Sequence, residues 1–178
     1  MDKLTIVING VGGSGKDTLI SLLEEHYKVK NISSITPIKE FAKLMGWQGE
    51  KTDKARKFLA DLKALLTDYN NYPTNYILQE QQMFLSSDEQ VLFVHIREPQ
   101  EIAKFVSLSQ GATKTLLIRP RQELQGKVYG NASDDEVEQY NYDYVFNNDL
   151  TLEEITPIWN EFFASILENS NDRYIKDI

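Results

Sequence analysis

The feature that most limits the possible folds is a strand, a glycine-rich turn and a helix in immediate succession. Leu4-Thr5-Ile6-Val7-Ile8 is an apolar run, and Leu19, Ile20, Leu22 and Leu23 carry helical period. Between them lies Gly10-Val11-Gly12-Gly13-Ser14-Gly15-Lys16-Asp17-Thr18. Four residues lie between Gly10 and Gly15, and Lys16 comes next, which is the spacing of a phosphate-binding loop. Glycine lets successive main-chain N–H groups turn inward around an anion, because a Cβ would block the backbone angles and the close approach. The helix behind the loop adds the partial positive charge of its N-terminus. Lys16 adds a point charge that reaches β- and γ-phosphates.

One position departs from the usual pattern. The residue after the lysine is ordinarily a Ser or Thr that ligates Mg²⁺; here it is Asp17, with Thr18 next. A carboxylate beside phosphates is tolerable only next to a cation. Asp17 therefore either helps hold Mg²⁺, directly or through water, or pairs with a basic residue. Thr18 can hydrogen-bond a phosphate oxygen, and with Asp17 it forms the candidate metal-binding pair. Ser14-Gly15-Lys16-Asp17-Thr18 resembles the loop of the nucleoside monophosphate kinase group of P-loop kinases. It is similar to the loops of phage-type deoxynucleoside monophosphate kinases and animal-type phosphomevalonate kinases, which carry Ser-Gly-Lys-Asp. The resemblance implies an adenylate-kinase-like enzyme using ATP and Mg²⁺. On that basis Gly10, Gly12, Gly13, Ser14, Gly15, Lys16, Asp17 and Thr18 are the expected ATP-binding residues.

The bulk numbers allow this. The 178 residues suit one domain, 1–178, large enough to bury a substantial core. The chain has no Cys, which excludes disulfides, thiolate nucleophiles and Cys-ligated metals. Met1-Asp2-Lys3 runs directly into the first strand, so no signal peptide and a cytoplasmic location are expected. No apolar run is long enough for a membrane span. A net charge of −8 disfavours a role in coating nucleic acid but permits a local basic pocket.

Strand and helix signals alternate along the rest of the chain. Residues 29–35 read as a second strand, Thr36-Pro37 as a helix start, and 52–70 as a longer helix. Pro73 breaks the chain, and a further helix is expected over 75–84. Residues 91–96 form a continuous apolar run, the mark of a strand covered on both faces. A helix follows Pro99, a strand covers 115–118, and a short last strand covers 144–146. Thr151 and Glu154 have capping-box spacing, but Pro157 predicts that the main helix starts afresh there with Thr156 as its cap. The alternation gives an α/β, three-layer P-loop NTPase fold with a five-stranded, mainly parallel sheet. Ligands of such sheets sit beyond the carboxyl ends of the strands.

Those ends supply the candidate chemistry. Phosphoryl transfer needs charge neutralisation, so cations beyond Lys16 are required. Arg97, Arg119 and Arg121 are the candidates. In the resembled kinases an Asp-x-Arg segment ends the third strand, with the Arg gripping the acceptor phosphate. Here Arg97 matches and His95 stands in place of the Asp, either as a hydrogen-bonding residue or as a packed strand-end histidine. Residues 119–142 correspond to the kinase lid, which implies that Arg119 or Arg121 closes on the phosphates. Residues 36–70 form the expected acceptor-binding part, where the roles of Lys39 and Arg56 stay open. Lys63 reads as a solvated side chain and Trp47 as packing. Asp143 to Asn148 resembles the stretch whose following loop passes the adenine, so Asn147 or Asn148 is expected near the ATP base.

The reading that follows is ATP-dependent phosphoryl transfer to a small phosphorylated acceptor, most naturally a nucleoside or deoxynucleoside monophosphate. The alternative is a P-loop module that binds or senses nucleotide with little turnover, motivated by Asp17 and His95. A GTPase fits poorly, because no Asn-Lys-x-Asp guanine motif occurs. Oligomeric state is not readable from the chain.

Overall fold

The computed structural model describes residues 3–120 and 136–171, with the side chain of Asn171 left aside. The elements run β1 (Leu4–Asn9), α1 (Lys16–Leu23), β2 (Val29–Ser33), α2 (Thr36–Leu44), α3 (Asp53–Asn70), α4 (Tyr72–Leu85), β3 (Val91–His95), α5 (Pro99–Leu108) and β4 (Ala112–Pro120). A 3₁₀ turn (Val137–Gln139), β5 (Tyr144–Asn148) and α6 (Leu152–Asn171) follow. The five strands form one sheet in the order β2-β3-β1-β4-β5, and each neighbouring pair is parallel. The three-layer α/β expectation holds. Among the described residues, no helix is long and apolar enough to cross a membrane.

The continuous apolar character of β1 and β3 follows from cover on both faces. All six residues of β1 are buried. On one face Leu4, Ile6 and Ile8 pack with Leu19, Ile20 and Leu23 of α1 and Trp159, Phe163 and Ile166 of α6. On the other, Val7, Leu92 and Val94 pack with Ile77 and Phe84 of α4 and Phe105 of α5. Trp159 is fully buried and donates its indole N–H to the Leu19 carbonyl at 2.7 Å, which fixes α6 against α1.

Two boundaries differ from the sequence expectation. The last helix does not restart at Pro157; it runs unbroken from Leu152 with Pro157 inside it. The Thr151 cap prevails: Thr151 N donates to Glu154 Oε2 at 3.1 Å, and Glu154 N reaches Thr151 Oγ1 at 3.4 Å. A proline near the start removes one helical hydrogen bond, and the buried Ile155, Trp159 and Phe163 hold the helix across it. The break expected at Pro73 falls two residues earlier: α3 ends at Asn70, and Pro73 sits in the first turn of α4, where its missing N–H costs nothing. The turn between α3 and α4 is made by Asn71, in the left-handed region at φ 56°.

Candidate active site

The phosphate loop leaves β1 at Asn9, a buried polar residue the sequence reading passed over. Its Oδ1 accepts the Gly10 N–H at 2.8 Å, and its Nδ2 donates to the Arg97 carbonyl at 3.0 Å and to Tyr142 Oη at 2.8 Å. Tyr142 in turn donates to the Val137 carbonyl at 2.8 Å. One amide thus ties the start of the loop to the end of β3 and to the segment before β5. Burial pushes the Tyr142 phenol up to about 12, so it stays a hydrogen-bond donor at neutral pH.

The loop then turns at Gly10 (φ 151°), Gly13 (φ 82°) and Gly15 (φ 84°), all in the region that favours glycine. Ser14 is buried, and its N–H bonds the Val11 carbonyl at 3.1 Å. Gly15 is the N-cap of α1, and no side chain caps the helix there. The first-turn amides are thereby aimed at whatever lies above the loop. Lys16 curls over the loop, with Nζ donating to the Gly10 carbonyl and to Ser14 Oγ, the latter at 3.1 Å.

Beside the loop is a cleft of about 190 Å³ lined by Gly13, Gly15, Thr18, Asn148, Leu150 and Leu152. The structure places Asn148 here, donating from Nδ2 to the Ser14 carbonyl at 2.9 Å, whereas Asn147 is exposed on the neighbouring position of β5. The β period explains the choice: adjacent strand residues point to opposite faces, and only one of two consecutive Asn can meet the loop. Leu150 and Leu152 remain substantially exposed and give the cleft an apolar wall.

The other strand ends bring together some of the expected residues. His95 ends β3, in register with Ile8 of β1 and Ser33 of β2. Its Nε2 lies 2.7 Å from Asn31 Oδ1. Burial lowers its pKa to about 4, with Asp17 opposing and Lys16 and Arg97 reinforcing that shift. Arg97 is exposed directly beyond it. Arg119 lies at the end of β4 and makes a two-pronged pair with Glu138, Nε to Oε1 at 2.9 Å and Nη2 to Oε2 at 2.7 Å. That hydrogen bond raises the Arg119 pKa further. Arg121 lies outside the described residues, as does most of the expected lid.

On the acceptor side, Lys39 and Arg56 are exposed, as the solvated reading of charged helix faces expects. Lys63 is not solvated: it is largely buried and pairs with Glu98 at 2.6 Å. Trp47 is only half-buried, donates to the Glu50 carbonyl at 3.1 Å, and walls an open cavity of about 330 Å³ with Met45, Lys54 and Phe58.

Asp17 and Thr18 are exposed on the first turn of α1 and offer a carboxylate and a hydroxyl, hard oxygen donors suited to Mg²⁺. Among the described residues no cluster of three or more His, Asp or Glu forms a metal cage. Mg²⁺ in a phosphate site takes one or two protein ligands and completes its shell with water and phosphate oxygens.

No family model and no curated protein sequence matches this chain. Solved structures do. TT1252 from Thermus thermophilus is 17% identical at a TM-score of 0.52, with 95% of this chain and 98% of that chain covered. A gluconokinase from Sinorhizobium meliloti 1021 is 14% identical at 0.51, covering 99% and 98%. Shikimate kinase from Aquifex aeolicus is 13% identical at 0.50, covering 93% and 98%. The chain shares its fold with these proteins, a gluconokinase and a shikimate kinase among them.

Proposed function

We propose that the protein is an ATP-dependent kinase of a small phosphorylated acceptor, with a nucleoside or deoxynucleoside monophosphate as the first candidate. The observation that carries this reading is the start of α1 at Gly15, which no side chain caps, with the Lys16 ammonium held against the glycine-rich loop that precedes it. That combination suits a polyphosphate better than any other common ligand. The cleft walled by Thr18, Leu150 and Leu152 accommodates the base, and Asn148 fixes its floor to the loop.

When bound, Mg²⁺ would be held by Asp17 and phosphate oxygens and would neutralise charge on the transferring group. The chain's own residues do the rest. Lys16 and the loop amides hold the β- and γ-phosphates and stabilise the charge that develops on the γ-phosphoryl oxygens. Arg97, whose carbonyl Asn9 anchors, receives the acceptor phosphate. Arg119, released from Glu138, adds charge from the β4 side.

The test is a panel of nucleoside and deoxynucleoside monophosphates, with sugars and shikimate-like hydroxy acids for comparison, assayed for ADP release with Mg²⁺-ATP. Acceptor-stimulated release for a monophosphate, lost in a folded Lys16→Ala variant, supports the reading. A Lys16→Ala protein that keeps near-wild-type turnover refutes the assignment. Tight ATP binding with no acceptor-dependent release instead favours the nucleotide-sensing module that Asp17 and His95 suggest.

A further inference from the structure

The main chain at Arg97 and Glu98 is held from two sides by residues far away in sequence. β1 is the central strand, with β3 and β4 beside it, so its last residue reaches across the carboxyl end of the sheet. That residue is Asn9, and it is buried. A side-chain amide offers an acceptor oxygen and two N–H donors, and Asn9 uses both kinds. Oδ1 takes the Gly10 N–H, while Nδ2 donates to the Arg97 carbonyl at 3.0 Å and to Tyr142 Oη at 2.8 Å. Tyr142 is itself fixed. Its hydroxyl donates to the Val137 carbonyl at 2.8 Å, and the next residue, Asp143, accepts from Thr115 N and Oγ1 on β4, both at 2.9 Å. From the other side, Lys63 Nζ of α3 donates to Glu98 Oε2 at 2.6 Å. Glu98 follows Arg97 and is the N-cap of α5. The two side chains are only 15% and 30% exposed. A half-hidden ion pair often gives no net stability over an apolar contact; what it fixes is the relative place of two chain segments. α4, which packs on α3, reaches α5 as well, with the buried Thr74 donating to Glu101 Oε2 at 2.8 Å.

We propose that Asn9 and Lys63 are positioning residues for Arg97. Asn9 sets its distance from the donor-phosphate loop, and Lys63, through Glu98, sets its place against the acceptor-side helix α3. This rests on the phosphoryl-transfer reading above. Transfer between two phosphates depends on holding the reacting atoms about 3–3.5 Å apart and in line. A long, exposed arginine side chain aims at a fixed point only if the main chain that carries it is fixed. The Asn9 amide fixes the carbonyl of Arg97, and the Lys63 ammonium fixes the residue after it. Only the arginine rotamers are then left to adjust to the acceptor. Asn9 and Lys63 act through Arg97 and need not touch the substrate.

Residues that act through one side chain give non-additive effects. Asn9→Leu and the paired change Lys63→Met with Glu98→Gln are made in the wild type and in an Arg97→Ala background. The paired change removes both charges together, so no carboxylate is left without its lysine. Asn9→Ser is the milder second variant should Asn9→Leu fail to fold, and thermal melts verify folding. The probe is the monophosphate with the highest turnover in the panel above. Its affinity is measured by calorimetry with a non-hydrolysable ATP analogue bound, so that proteins without turnover can be read. With Arg97 present, each change should weaken acceptor binding by about fivefold or more; without the Arg97 side chain, the same changes should cost less than about twofold. Lys63→Arg keeps a partner for Glu98 and should recover most of the affinity. The paired change should leave affinity for the ATP analogue alone within about twofold, because it lies on the acceptor side. If either change weakens acceptor binding equally with and without Arg97, or lowers only the melting temperature, the role of that residue is overturned while the kinase reading stands. If folded wild type turns over no monophosphate, both fall.

Discussion

Asn148 donates its side-chain amide to the main-chain carbonyl of Ser14 at 2.9 Å, so the last strand grips the phosphate loop from the side. The same amide fills the space above Gly15, where an added Cβ would collide with it. Loop and strand therefore fit together only because position 15 has no side chain.

The three loop glycines that differ most in surroundings should respond differently to alanine. At Gly15 the backbone has φ 84°, and a methyl would displace Asn148. At Gly10 (φ 151°) a methyl would sit 2.5 Å from the Ile118 carbonyl. Gly12 has nothing within 4 Å. Left-handed backbone costs a non-glycine residue roughly 1–2 kcal/mol, and each kcal/mol moves the melting temperature of a chain this size by about 2–4 °C. Gly10→Ala and Gly15→Ala should each lower Tm by several degrees, and Gly12→Ala by about 1 °C or less. Calorimetric melts of the three variants decide it.

Asn148 and Asn147 should also separate. Asn148→Ala removes one hydrogen bond, worth about 0.5–1.5 kcal/mol, and loosens the floor of the cleft. The KM for ATP should rise several-fold with the acceptor KM little changed. Asn147→Ala, at an exposed position, should leave both constants within about twofold. Steady-state kinetics with each substrate varied in turn would expose an equal effect of the two, which the geometry forbids.

The sheet and the loop were legible from sequence because each rests on a local pattern: apolar runs of strand length and glycines at fixed spacing. The start of α3 offered two adjacent capping residues, Thr52 and Asp53, and Ala55 N bonds the Thr52 hydroxyl at 3.2 Å. The misread points are contests between two local signals. Pro157 and the Thr151 cap both claim the start of α6, and the apolar face of Ile155, Trp159 and Phe163 settles the matter through tertiary packing. Other site features were not legible because their partners are distant in the chain. Asn9 meets Tyr142, and Arg119 meets Glu138, only after the sheet has assembled. A lone Asn at the end of a buried strand, directly before a glycine loop, was the available signal for the first.

The Arg119–Glu138 pair carries a prediction of its own. Both side chains are well exposed, 39% and 57%, so the pair contributes little to stability despite its geometry. Its cost falls on function if Arg119 is to reach a phosphate. Glu138→Gln should leave Tm almost unchanged and lower the KM for ATP, because the guanidinium starts unpaired from that carboxylate. Arg119→Ala should lower kcat instead. A Glu138→Gln variant with a raised KM would mean that the carboxylate orients Arg119 productively.

His95 gives a pH dependence with a definite sign. Burial lowers its folded pKa to about 4, from 6.5 for the free side chain. Between those values the unfolded chain binds a proton that the folded chain refuses. Stability therefore rises with pH through this window, is complete above about pH 6.5, and is lost as pH falls toward 4. Replacing His95 with Gln keeps a polar side chain of similar reach toward Asn31 and removes the titration. Urea unfolding at pH 7.5 and at pH 5 should then show a smaller acid-side loss for His95→Gln than for wild type, with the difference confined to the range below about pH 6.5. The carboxylates still titrate in both proteins, so the informative quantity is the gap between the two curves. Equal acid-side losses in the two would mean that the imidazole is protonated in the fold.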